Sequence, residues 1–376
     1  MATPKGILVL IRETATEKVV FRRFLVIYYQ VRRAFGLYLG SHVVSLPLIP
    51  IRLKRHLAAL YVEKAIAEIG SRADPAVAMQ AAKHAVTLCP DVSGGYDALL
   101  NKLASLYVEK AITEIGSGED PAAAMQAAKH AVTLCPDVSG GYEALSNIML
   151  PGENFYELLR RFHDWLRPKS YIEIGVDTGA SMELAKPPTV AVGIDPEPRL
   201  FNVPKTVCKI FPLTSDDYFA TYDPRRDIEA ETVDLAFIDG LHLFEQALRD
   251  FINIERVSSQ RTLVLIHDCF AIDALTAERE RKTWFWTGDV WKIIPCLREF
   301  RPDLHVFTIA TPPSGLGVVS RLDPRSTVLI DRFDEIVSRY LSLQIDPDEE
   351  RRKECAVMVP NNWQGIVTRL SNQPPG

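Results

Sequence analysis

Two hydrophobic periodicities divide this chain. From Leu57 to about residue 150, small and apolar residues recur at helical spacing, as in Ala78, Ala81, Ala82, Ala85, Val86 and Leu88, before Pro90 stops the run. Beyond Pro151 and Gly152 short apolar runs alternate with amphipathic stretches. Phe155–Trp165 is predicted as a helix. Ser170–Ile174, Val190–Ile194, Val207–Phe211, Val233–Ile238 and Thr262–Ile266 are predicted as strands, with a helix over Leu243–Val257. Strands alternating with helices imply a mostly parallel α/β sheet. His305–Ala310 and Leu316–Ser320 are too close for a crossover helix, so they are expected to pair antiparallel. Past Pro324 the pattern predicts a helix at Phe333–Leu341 and a solvated charged helix at Asp346–Lys353.

The helical part is a duplication: Leu57–Leu99 recurs almost residue for residue as Leu103–Leu145. Each copy reads as two helices, with Asp74 or Asp120 as N-cap and Pro75 or Pro121 at the first helical position. The alanine stripe, the closing Leu-Cys-Pro and the following Tyr96 or Tyr142 resemble a tetratricopeptide repeat, with a longer period that implies a lengthened first helix. His84 and His130 are copies of one position and are expected to be surface or packing residues. Two units are few for a free-standing solenoid. The module is expected to pack on the neighbouring domain, on a protein partner or on a second copy of the chain, as a mere support or as a binding surface.

Composition narrows the class. The 376 residues are 47% hydrophobic and 24% charged, the profile of a folded protein of at least two domains. A net charge of -5 argues against wholesale nucleic-acid binding. The six cysteines form no CxxC pair, which points to a reduced, cytoplasmic protein. Residues 19–51 are apolar but interrupted by Arg22, Arg23, Arg32 and Arg33, and Pro47 and Pro50 weaken a spanning helix, so membrane association is not expected.

The first strand runs into Glu173-Ile174-Gly175-Val176-Asp177-Thr178-Gly179-Ala180-Ser181. Gly175 and Gly179 let backbone approach a ligand, and the helix expected to follow supplies free N–H groups. Asp195 ends the second strand, where an acid can bond a ribose diol. A dinucleotide motif has a middle glycine, because a pyrophosphate sits on the helix N-terminus. Here Asp177 would repel a pyrophosphate and suits a cationic ligand such as S-adenosylmethionine (SAM). A nicotinamide-dependent oxidoreductase is the reading this counts against. Asp239 and His242 end the fourth strand and His267 and Asp268 the fifth, so all four are expected to converge at the carboxyl edge.

The ordered set EIGVDTGAS, GID, TSDDYF, FIDGLHLFEQALRD and VLIHDC resembles methyltransferase family 24 of the class I SAM-dependent enzymes, over about residues 150–322. The resemblance implies a Rossmann-like seven-stranded sheet of order 3-2-1-4-5-7-6. It implies SAM held by Glu173, Gly175, Asp177, Gly179, Ser181 and Asp195, with Ser215 and Asp216 near the adenine. It further implies a divalent metal on Asp239, His267 and Asp268, and His242 as the base that deprotonates a hydroxyl. One departure stands out: the first fifth-strand ligand is usually acidic in such enzymes and is His267 here. Oxygen ligands suit magnesium, whereas imidazole suits manganese, iron or zinc, so the metal is left open. Trp284, Trp286 and Trp291 are expected as an acceptor-side wall or as core, and Arg279, Arg281 and Lys282 as a solvated face. The partition is a basic, apolar extension at 1–56, helical repeats at 57–150, a SAM-dependent O-methyltransferase domain at 151–330 and a helical tail at 331–376. The expected acceptor is a small molecule or glycan hydroxyl. The alternative is a tetratricopeptide-like scaffold whose second domain binds SAM without catalysis.

Overall fold

The computed structural model describes residues 51–70, 75–90, 94–118, 120–201 and 205–371. Asp74 and residues 19–50 of the 19–51 segment lie outside them. No helix among the described residues is long and apolar enough to cross a membrane. The chain divides into two compact units at Leu145–Ser146.

The first unit contains α1 (Ile51–Gly70), α2 (Pro75–Leu88), α3 (Tyr96–Ser117) and α4 (Pro121–Leu134), with α5 (Gly141–Met149) starting at its end. α1 packs on α2 and α3 on α4. The long period is absorbed in the first helix of each pair: α1 and α3 have 20 and 22 residues against 14 for α2 and α4. Asp120 caps α4, accepting from the Ala123 N–H at 2.9 Å. The alanine stripe is buried in both copies, where the absence of bulk lets the paired helices approach. The duplicated histidines make duplicated contacts: His84 meets Tyr61 edge-on at 5.1 Å, and His130 meets Tyr107 at 5.2 Å.

The second unit is built on one sheet of order β3-β2-β1-β4-β5-β7-β6-β8. Its strands are β1 (Ser170–Ile174), β2 (Val190–Ile194), β3 (Val207–Phe211), β4 (Leu235–Ile238), β5 (Leu263–Ile266), β6 (His305–Ile309), β7 (Leu316–Ser320) and β8 (Met358–Val359). β7 is antiparallel to both β5 and β6. The expected count of seven is corrected to eight: β8, from the segment read as a helical tail, pairs parallel with β6. A two-residue strand flanked by charged helix and proline has no periodicity to betray it.

Alternation along the strands builds a core on each face. Ile172, Ile174, Ala236, Ile238, Val264 and Ile266 pack with α9 (Phe244–Glu255) and α10 (Ile293–Phe300). Tyr171, Leu235, Phe237, Leu263 and Leu265 pack with α6 (Phe155–Leu166) and with Ile366 of α14 (Trp363–Ser371). Between the strands and these helices come α7 (Ser215–Thr221), α8 (Pro224–Asp227), α11 (Val328–Asp331), α12 (Phe333–Leu341) and α13 (Glu349–Cys355). The register sets the functional edge. Ile174 pairs with Ile238 and Ile238 with Ile266, so β1, β4 and β5 end side by side.

The segment after the glycine loop differs from expectation. It is a single 3₁₀ turn, Met182–Leu184, and not a helix. Pro187 and Pro188 follow at once, and proline forbids further helical hydrogen bonding.

Candidate active site

The loop after β1 is shaped by what it touches. Gly175 has φ 87°, and a Cβ there would lie 1.9 Å from the Asp239 carbonyl oxygen, so only glycine lets β1 and β4 end this close. Asp195, at the end of β2, turns its carboxylate onto the loop. One oxygen accepts from the Val176 and Asp177 N–H groups at 2.9 and 2.8 Å, and the other from Glu197 at 2.7 Å. Asp177 adopts φ 43° and pairs with Arg199. A Cβ on Gly179 would meet the Leu200 side chain at 2.7 Å. Glu173 is fully buried, accepting from Tyr171 at 2.6 Å and from Ser181. Burial pushes its carboxyl up to about 8 despite those two hydrogen bonds. Ser215 and Asp216 open α7, and both accept from Gln246 at 3.1 Å.

The ends of β4 and β5 bring Asp239, His242, His267 and Asp268 together. His242 Nε2 lies 3.6 Å from Asp239, and its Nδ1 lies 3.1 Å from Asp268 Oδ2. His267 Nδ1 lies 3.1 Å from Asp239 and 3.4 Å from Asp268. Ser314, from the β6–β7 connection, donates its one hydroxyl proton to Asp268 at 2.6 Å. His267 Nε2, 3.4 Å from the same hydroxyl, must then be the donor in that contact, and Nδ1 the donor to Asp239. Burial pulls the His267 imidazole down, but Asp239 and Asp268 outweigh it and hold it well above the usual histidine range. Burial opposes the charge on His242 too, yet Asp268 and Asp239 raise it to about 9. Burial also raises Asp239, whereas the facing His267 and His242 hold it well below the usual carboxylate range.

A clasp from residues 276–292 aims His242. The Trp286 carbonyl lies 3.0 Å from His242 Nδ1, so Nδ1 carries the proton and Nε2 is the free nitrogen of the neutral ring. A Cβ on Gly288 would fall 1.8 Å from the His242 carbonyl oxygen. Buried Asp289 accepts from the Phe244 N–H at 2.8 Å, from Arg279 at 2.7 Å and from Lys292 at 3.0 Å. Arg279 also pairs with Glu245, so the expectation of a solvated Arg279 is corrected: it ties the clasp to α9. Of the tryptophans, Trp286 stacks on His242 while Trp284 is exposed.

Residues 172–269 match the family model of a methyltransferase domain. The matched stretch runs from β1 to the turn that carries Asp268. No curated protein sequence matches the chain. Similar solved structures include the O-methyltransferase TomG from Streptomyces achromogenes, involved in tomaymycin synthesis and in complex with SAM. It is 16% identical, with 45% of this chain and 79% of that one covered and a TM-score of 0.35. Another is the methyltransferase PaMTH1 from Podospora anserina, bound to S-adenosylhomocysteine (SAH), at 16% identity, 45% and 78% coverage and TM-score 0.33. A third is the O-methyltransferase from Bacillus cereus in complex with SAH, at 10% identity, 51% and 96% coverage and TM-score 0.33.

Within the methyltransferase-domain match the donor atoms that converge are those of Asp239, His242 and Asp268, all within 4.8 Å of one another. His267 lies beside this set, its Nδ1 3.1 Å from Asp239 and 3.4 Å from Asp268. The set fits a divalent cation: Asp268 Oδ2 is buried with no hydrogen-bond partner, and two carboxylates with one imidazole suit a first-row metal such as manganese better than magnesium. Two further residues of the site escaped the sequence reading. Tyr156 is pushed up by burial and then by Asp239, Glu173 and Asp177. Buried Asp250 of α9 bonds Gln246 at 3.1 Å and is raised to about 6 by burial. Its signal was an acid on the apolar stripe of Ala247 and Ile254; Tyr156 had none.

Proposed function

We propose that residues 151–330 form a SAM-dependent O-methyltransferase that deprotonates a hydroxyl of a small molecule or glycan. The observation that carries this is the meeting of Asp239, His242 and Asp268 at adjacent strand ends, beside a Gly175–Gly179 loop that carries Asp177 where a dinucleotide motif has its middle glycine. Glu173, Asp177, Ser181 and Asp195 would face or frame the methionine and ribose portions of SAM, and Ser215 and Asp216 the adenine. Asp177 brings negative charge to a cation-bearing ligand. His242 Nε2, left as the free nitrogen by Trp286, would take the acceptor's proton, and the resulting oxyanion would attack the sulfonium methyl in line, breaking its bond to sulfur and leaving SAH. Asp239, His267 and Asp268 would hold a divalent cation, which leaves His242 Nε2 for the acceptor's proton. When bound, that cation would lower the pKa of a coordinated hydroxyl and offset the two carboxylates that keep the imidazoles charged. The helical repeats, read as tetratricopeptide-like, would serve a protein partner or a second copy of the chain.

The test is transfer of labelled methyl from SAM to a panel of phenols and glycans, alongside calorimetry with SAM. Turnover that is lost in His242→Ala with SAM affinity kept supports the proposal. Saturable SAM binding without turnover on any acceptor would favour the scaffold reading, and full activity in His242→Ala would remove the base.

A further inference from the structure

Gln246, in the first turn of α9, joins the segments that follow β3 and β4. Its side-chain Nε2 lies 3.1 Å from Ser215 Oγ and from Asp216 Oδ1, both after β3. The same nitrogen lies 3.1 Å from Oδ1 of Asp250, one turn further along α9. Asp250 is 1% exposed and lines the hollow that holds Asp239 and His242 after β4. Its carboxyl packs on that turn: a Cβ on Gly240 would sit 3.6 Å from Asp250 Oδ2.

The Gln246 carboxamide has one allowed orientation. Its Oε1 accepts from Arg249 Nη1 at 2.6 Å. Arginine only donates and an ionised carboxylate only accepts, so turning the amide over would set donor against donor and oxygen against oxygen. Arg249 is itself held: its guanidinium lies 5.0 Å from the Phe333 ring centroid, and Nη1 lies 3.4 Å from Asp216 Oδ2. Three oxygens share the two hydrogens of Nε2, and Ser215 gives its own hydroxyl hydrogen to Asp250. Ser215 and Asp216 are therefore left with lone pairs and no donor. Asp216 is reachable by a ligand, with its side chain 49% exposed.

We propose that Gln246 is a positioning residue for cofactor selection: by pinning Asp216 and Ser215 as acceptors, it makes the site take a nucleoside with an amino group at the purine 6-position and refuse the 6-oxo counterpart. The inference rests on the proposed SAM reading, in which Ser215 and Asp216 face the adenine. An amino group brings hydrogens to these oxygens, whereas a 6-oxo group sets another acceptor against them.

The experiment is calorimetry on the full chain with SAH and with S-inosylhomocysteine, which carries oxygen in place of the purine amino group. The wild-type protein is expected to bind SAH about tenfold or more tighter, the cost of one hydrogen bond replaced by facing acceptors. Gln246→Leu keeps a helix-forming residue and removes the pin, so the ratio is expected to fall below about threefold, through weaker SAH. In Asp216→Asn the amide oxygen faces the Gln246 and Arg249 donors and its NH₂ faces the base, so the preference is expected to invert. Both variants are checked for folding by circular dichroism, and the half-exposed position of Asp216 tolerates the isosteric change. Equal wild-type affinities, or the wild-type ratio kept in either folded variant, overturns the proposal while the SAM reading stands. Absence of saturable SAH binding to the wild type overturns the SAM reading and this proposal with it.

Discussion

The Trp286 main chain and ring both engage His242: the carbonyl lies 3.0 Å from Nδ1, and the ring stacks on the imidazole at 5.1 Å with the planes 19° apart. One residue thereby sets both the tautomer and the tilt of the proposed base. Removing the ring in Trp286→Ala keeps the carbonyl. Loss of such outer support costs about 10–100-fold in activity. The expected result is a fall in kcat of that order with SAM affinity preserved, measured by turnover and calorimetry on one preparation.

Gly288 bears on the same residue. Its φ of 56° and a Cβ that would sit 1.8 Å from the His242 carbonyl leave no room for a side chain. Gly288→Ala is expected to displace the His242 backbone and abolish turnover. Gly175→Ala, whose Cβ would strike the Asp239 carbonyl, is expected to weaken SAM binding as well. A split between the two variants in SAM calorimetry is the readout.

Asp289 and Lys292 form a buried ion pair at 3.0 Å, with side chains 2% and 4% exposed. Breaking such a pair leaves an uncompensated charge and costs about 3–5 kcal/mol. Asp289→Ala is expected to lose that much stability in urea denaturation, whereas Arg279→Ala, removing a half-exposed partner, is expected to lose far less.

A divalent cation held by Asp239, His267 and Asp268 is checked by chelation. Turnover is expected to fall at least tenfold with EDTA and to return with manganese more fully than with magnesium. Asp268→Asn, which withdraws a charged ligand, is expected to abolish manganese binding in calorimetry. Activity indifferent to EDTA would count against the metal.

His163 of α6 is buried with neither ring nitrogen hydrogen-bonded, and burial lowers it from 6.5 to about 4. The unfolded chain therefore takes up a proton that the folded chain refuses. Stability from this residue is complete above about pH 6.5 and falls as the pH drops toward 4, by roughly 3 kcal/mol in all. His163→Leu is expected to flatten the loss of stability between pH 6.5 and 4, read from urea midpoints across that range.

Much of this molecule was legible in one dimension. Short continuous apolar runs place β1 to β7 within one or two residues, because strands buried on both faces are apolar throughout. The duplicated helices followed from a repeat that needs no partner to be seen. Asp239, His242, His267 and Asp268 were placed at strand ends by the same local logic. The 3₁₀ turn after the glycine loop was readable too, in Pro187 and Pro188, but the expectation of a βα unit overrode it.

What the sequence determined alone is the strand and helix inventory and which chemical groups end β1, β4 and β5, since backbone periodicity and glycine sterics act over a few residues. Only the tertiary structure decided how those groups face one another. Trp286 and Ser314 reach their histidines across 44 and 47 positions, and β8 joins an edge strand from the far end of the chain. Hydrogen-bond direction and local field depend on neighbours that folding alone brings within a few ångströms.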